Sequence, residues 1–241
     1  MTESNEGQPR PPQPRRRPHS ARHAVEPEEV CRLLRDPRAK PGTIRAIADD
    51  PALQAFYPVR LATVLRPEVP LSIALRLLPT LLWRDIARVM EDVRLYPPLR
   101  ARAEQILAER LQEMTAGEKI SLARIASCVL IRSLRESYDA RVIGALLGNP
   151  RMIEEDVMII ARNESSPASV LSVVARSERW GGHYQVKLAL AENPKCPPMD
   201  SLRSLRGLMP RDLRRISENP SAPRLVRMGA SRRLSEQECR K

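Results

Sequence analysis

The sequence predicts an all-α protein: an α-solenoid of short stacked helices, internally duplicated, with a disordered basic N-terminal tail. Three observations carry this. From Val25 onward, short apolar-periodic segments alternate with Pro-containing turns, and no run shows the strict alternation of a half-buried strand. The apolar residues, 42% of the chain, are almost all aliphatic, with one Phe, two Trp and four Tyr, which is helix-packing material. Lastly, the chain matches itself at a fixed offset.

The tail comes first. Residues 1–24 carry Pro9, Pro11, Pro12, Pro14 and Pro18 with Arg10, Arg15, Arg16, Arg17 and Arg22, and hold almost nothing to bury, so no packed structure is expected there. The opening MTESNEGQPR has no apolar signal core, and no stretch approaches the roughly 18 consecutive apolar residues of a spanning helix. A cytoplasmic protein without a membrane span is therefore expected.

The duplication follows. Tyr57, Val59, Leu61 and Ala62 recur as Tyr184, Val186, Leu188 and Ala189, an offset of 127 residues. The same offset maps Val30 to Val157, Arg35 to Arg162, Ala48 to Ala175, Pro67 to Pro194 and Pro70 to Pro197. It also maps Arg76 to Arg203, Arg84-Asp85 to Arg211-Asp212 and Leu107 to Leu234. Residues 27–109 and 154–236 are thus read as two copies of one block. The chain divides into a tail (1–24), a first helical-repeat block (25–112), central joining helices (113–153), a second helical-repeat block (154–235) and a C-terminal tail (236–241).

Within each block, Asp36-Pro37, Asp50-Pro51 and Arg66-Pro67, with Asn163-Glu164, Ser177-Glu178 and Asn193-Pro194, punctuate the apolar runs. Asn149-Pro150 and Asn219-Pro220 do the same. A polar side chain that accepts from first-turn amides, followed by Pro, writes a helix start. The alternative is a β-turn. Either way the helices run to about 8–12 residues and are too short to be stable alone. About 10 to 14 of them, stacked in two layers, would bury one apolar face each in a continuous core. In the central segment GEKISLARIASCVLIRSL reads as one longer, largely buried helix, and DARVIGALLGNP as another repeat helix.

VKLALAENPKCPP (186–198), LLGNPRMIEEDVMIIARN (146–163) and DLRRISENPSAPRLVRMGA (212–230) share an apolar helix ending in Asn-Pro, or a close variant, then a short turn and another helix. This wording resembles bacterial HEAT-like arrays and the leucine-rich repeat variant, over about residues 26 to 235. The resemblance implies an interaction surface, since such folds host varied functions. Leucine-rich repeat variants can carry an amino-terminal cysteine cluster for an iron–sulfur centre. Here only Cys31 lies near the start of the array, so no cluster is expected.

Catalytic chemistry finds little support. Cys31, Cys128, Cys196 and Cys239 are widely spaced without a CxxC, and the first three read as buried or inert thiols. His19, His23 and His183 form neither a metal set nor a triad, and there is no phosphate-cradling glycine loop. No metal, cofactor or catalytic residue is expected. Asp85 and Asp212, each after an Arg, would be the general bases of a HEAT-like alkylpurine DNA glycosylase. Their occurrence in both copies favours a structural role at a helix start, because active sites are rarely duplicated with their scaffold. Trp83 and Trp180 occupy different block positions, and so few aromatics do not suit base stacking. Tyr57 and Tyr184 read as packing residues whose hydroxyls are tied to a neighbouring turn.

Charge is the remaining signal. Lys and Arg outnumber Asp and Glu by 41 to 29, a net charge of +12, which favours acidic proteins, nucleic acids or anionic membranes. Arg203, Arg206, Arg211, Arg214, Arg215, Arg224 and Arg227, followed by Arg232 and Arg233, are opposed locally by only Asp212 and Glu218. The first seven are the candidate binding residues. They would form either a phosphate-contacting stripe or a solvated face paired with carboxylates on the adjoining helix. The function expected is a non-catalytic scaffold for a protein partner, an acidic one by charge. The alternative is sequence-nonspecific nucleic-acid binding through the Arg-rich C-terminal block, and the third reading is the glycosylase.

Overall fold

The computed structural model of the chain describes residues 26–239, so the basic tail lies outside the described residues. Among these residues the secondary structure is wholly helical, with no strand: α1 (Pro27–Arg35), α2 (Pro41–Asp49), α3 (Pro51–Gln54), α4 (Tyr57–Val64), α5 (Leu71–Leu77), α6 (Trp83–Glu91), α7 (Pro97–Arg110) and α8 (Ala116–Ile125). There follow α9 (Cys128–Leu134), α10 (Ala140–Leu147), α11 (Glu154–Arg162), α12 (Ala168–Arg176), α13 (Tyr184–Glu192), α14 (Pro198–Ser204), α15 (Pro210–Glu218) and α16 (Arg224–Glu238). A single 3₁₀ turn, Leu78–Thr80, follows α5.

The helices stack as an α-solenoid. Helices α10, α12, α14 and α16 pack in succession as one layer, α11, α13 and α15 as the other, and α6 with α7 and α15 with α16 form tight pairs. The 127-residue offset holds in three dimensions. Helices α1, α2, α5 and α6 share both ends with α11, α12, α14 and α15, and α4 and α7 share their starts with α13 and α16.

Tertiary hydrogen bonds repeat as well, even where the residue types differ. Arg66 Nη1 donates to Leu34 O at 3.2 Å, and at the equivalent place Asn193 Nδ2 donates to Ala161 O at 2.7 Å. Arg110 Nη1 donates to Leu81 O at 3.0 Å, and Gln237 Nε2 to Leu208 O at 3.3 Å. Bonds that survive a change of donor are the mark of a conserved backbone arrangement.

Several expectations change. The described helices number sixteen, more than the sequence suggested, because α3 is a four-residue extra and the central segment is divided. The long helix expected over that segment breaks at Ala126, whose backbone is extended, and Ser127 caps α9 by accepting from the Leu130 amide. Helix α16 runs to Glu238, through the first half of the segment read as a C-terminal tail. Cys31 and Cys196 are buried as expected, but Cys128, at the exposed first position of α9, is not.

The Asn-Pro and Asp-Pro pairs mostly close helices. Asp36, Asp92, Asn149, Asn163, Asn193 and Asn219 each accept from the amide two residues on. Their own carbonyls accept from the amide three residues on. This is an Asx turn nested in a β-turn, and after Asp36, Asn149, Asn193 and Asn219 the next residue is Pro, whose φ is already set. Among the Asp-Pro and Asn-Pro pairs only Asp50 starts a helix, accepting from Ala52 N at 2.9 Å. The turn after α14 needs Gly207, whose φ of +82° is left-handed, where the first block has its 3₁₀ turn.

The core is not uniform. One continuous apolar cluster runs from Val30 to Cys196, and a second holds Leu188, Ala191, Leu205, Leu208, Leu213, Ile216, Val226 and Ala230. The residues that α14 buries are polar: Asp200, Ser201 and Ser204. The first block has Ile73, Ala74 and Leu77 at those positions, and its core is unbroken.

Candidate functional site

The two aspartates singled out by the sequence each hold a tyrosine of a neighbouring helix. Tyr57 Oη donates to Asp85 Oδ2 at 2.5 Å and accepts from Leu82 N at 3.1 Å. Tyr184 Oη likewise donates to Asp212 and accepts from Met209 N at 3.2 Å. Leu82 and Met209 are the N-caps of α6 and α15 and offer no side-chain acceptor, so a tyrosine from the neighbouring helix takes that role. The tyrosines are thus tied to a neighbouring turn, as expected. The aspartates anchor those tyrosines and do not cap amides themselves. Burial, with the aspartate hydrogen bond next, raises both phenol pKa values.

The remaining chemistry-bearing side chains have local partners. Trp83 Nε1 donates to Glu118 Oε1 at 2.8 Å, and the buried Trp180 donates to Leu147 O at 2.9 Å. His183 lies 3.2 Å from Glu154 and against the Trp180 ring. Among the described residues no group of His, Cys, Asp and Glu could hold a metal ion. No described helix is long and apolar enough to cross a membrane.

The seven candidate arginines divide. Arg211, Arg214 and Arg215 lie on α15 and line an open groove of about 840 Å³ together with Arg162, the last residue of α11. The same groove takes Glu164, Glu192 and Glu218 into its walls. Arg215 Nη2 lies 2.6 Å from Glu192 on α13, and Arg211 Nε 3.7 Å from Asp212. Arg203, at the end of α14, Arg206 in the following turn, and Arg224 and Arg227 on α16 stand apart from it. Three of the seven thus share a mixed-charge groove, and the other four do not line it.

A second groove, of about 400 Å³, occupies the equivalent place in the first block. Arg35, Ala62, Leu65, Arg66, Pro67 and Arg88 line it, where the second block has Arg162, Ala189, Glu192, Asn193, Pro194 and Arg215. Arg94, Leu34, Tyr57, Pro58 and Leu61 complete it, and no carboxylate takes part. Sequence reasoning missed this site. Arg35 and Arg162 were already paired by the offset, and that pairing was the signal available.

No family model, curated protein or solved structure matches the chain.

Proposed function

We propose that this protein is a non-catalytic helical-repeat scaffold, HEAT-like in its stacking and acting in the cytoplasm, that binds a protein partner through its solenoid surface. The observation that carries this is the mixed lining of the groove on α11, α13 and α15, four arginines against three glutamates. A phosphate backbone seeks uniform positive charge. Alternating charges in one groove complement the mixed side chains of a protein surface, where they set register and exclude wrong partners. The pairing of Arg215 with Glu192 further holds the walls in a preorganised shape.

The test is capture of partners by the immobilised full chain at 50 and 200 mM salt. The expected result is recovery of the same protein at both concentrations, and its loss on triple reversal of Arg211, Arg214 and Arg215 to Glu. Recovery of nucleic acid instead, weakening roughly a thousandfold across that salt range, would replace the scaffold with phosphate-dominated binding.

A further inference from the structure

The groove of the first block differs from its copy in one decisive respect. Position 65 is Leu where position 192 is Glu, and position 66 is Arg where position 193 is Asn. The first groove therefore has an apolar floor of Leu34, Leu61 and Leu65 under a rim of arginines, and no carboxylate lines it. The carboxylates that serve those arginines lie elsewhere. Arg66 reaches Glu68 at 2.7 Å, Arg88 reaches Asp85 at 3.2 Å and Arg94 reaches Asp92 at 2.7 Å. Arg35 is exposed at the end of α1 and makes no ion pair among the described residues.

An apolar strip edged by cations fits one kind of occupant, a chain that presents apolar side chains and carboxylates together. We propose that the first-block groove binds an acidic, leucine-bearing segment of the partner protein, with the apolar side chains on Leu61 and Leu65 and the carboxylates on Arg35 and Arg88. This rests on the scaffold reading and gives it a second, chemically distinct site. A nucleic acid is the poorer fit, because its phosphates would use the rim and leave the apolar floor uncovered.

The test uses the full chain and a short fluorescent peptide of alternating Glu and Leu, read by anisotropy. Its comparators are a Glu-Ser peptide and a single-stranded oligonucleotide, each of equal charge. The expected result is that the Glu-Leu peptide binds at least about tenfold more tightly than either comparator, since each buried Leu adds a favourable transfer term. Arg35→Glu should weaken it by about tenfold. Arg162→Glu, at the equivalent position, should leave it within about twofold. Leu65→Glu, which installs the second-block residue, should weaken both acidic peptides, and the Glu-Leu one more because it also loses its apolar contact, with circular dichroism checking that the helices are retained. Equal binding of the oligonucleotide, or an Arg162→Glu effect as large as that of Arg35→Glu, overturns the proposal. The two readings fail separately. If partner capture survives Arg35→Glu and Leu65→Glu, the groove assignment falls and the scaffold stands, whereas recovery of nucleic acid alone removes the scaffold reading itself.

Discussion

Tyr184 and Asp212 show how one residue pair joins two helices. The hydroxyl donates a hydrogen bond to a carboxylate whose side chain is 7% exposed and accepts one from the Met209 amide. Tyr184→Phe removes both bonds and leaves Asp212 with its longer contacts to Arg211 and Arg215, so it should cost about 1–3 kcal/mol in urea unfolding. Tyr57→Phe should cost less, because Asp85 is 15% exposed and nearer water. A larger loss at Tyr57 would contradict this account. The pH dependence has a defined sign. Burial raises both phenol pKa values above the ordinary 10.0, so the folded chain holds these protons more tightly than the unfolded one. Their contribution is complete below about pH 10 and disappears as pH rises through the raised values. Between about pH 9 and pH 11 the thermal midpoint should fall less steeply in the Tyr57→Phe/Tyr184→Phe double variant than in the parent. The tie between each tyrosine and a turn was legible in the sequence because both copies carry it. The identity of its partner was not, since the donor and acceptor lie 28 residues apart and nothing in the local pattern of α6 or α15 names a tyrosine.

At the scale of the element, the closing turns are unequal. Asn149 and Asn193 are buried, and their amide groups donate to carbonyls at the end of an earlier helix, Asn149 to Ala123 and Ala126, and Asn193 to Ala161 and Asn163. Asn219 is half-buried and its equivalent in the first block is Asp92, which closes the same turn as a carboxylate. Replacement by Asp should separate them. Asn193→Asp removes two donated bonds and sets a buried negative charge against carbonyl oxygens, with an expected loss of about 2–4 kcal/mol. Asn219→Asp should stay within about 0.5 kcal/mol. Chemical denaturation of the two variants decides the matter, and similar losses would mean that the donated bonds contribute little. These pairs located the boundaries in the sequence but on the wrong side, because an Asx residue followed by Pro satisfies a turn and a helix start equally well. The break at Ala126 escaped notice for another reason: it carries neither Pro nor Gly, and only Ser127 as a cap marks it.

Across the whole molecule the two copies share a backbone but not a core. Helix α14 buries Asp200, Ser201 and Ser204 where α5 buries apolar side chains, and the buried apolar residues of α15 and α16 belong to the smaller cluster. In a repeat array, where stability is close to a sum over neighbours, that end should open first. Hydrogen exchange should therefore be faster in α14–α16 than in α5–α7, and equal protection would sink the idea. Installing the first-block residues through Asp200→Ile, Ser201→Ala and Ser204→Leu should narrow the difference. The duplication that makes this comparison possible was fully legible as an offset. The polar break was not, because a serine or aspartate at a periodic position reads the same whether it faces water or interrupts a core.

The divided core also bears on how the two grooves hold what enters them. Around the first groove, Leu34 and the partly buried Leu61 and Leu65 belong to a single apolar body, which makes that groove a fixed slot. Around the second, Ala189 belongs to the large body, while α15, which carries Arg211, Arg214 and Arg215, seats Leu213 and Ile216 in the small one. The Arg215–Glu192 ion pair joins α15 to α13, which seats residues in both bodies, so the second groove is held across the divide by charge where the first rests on apolar packing.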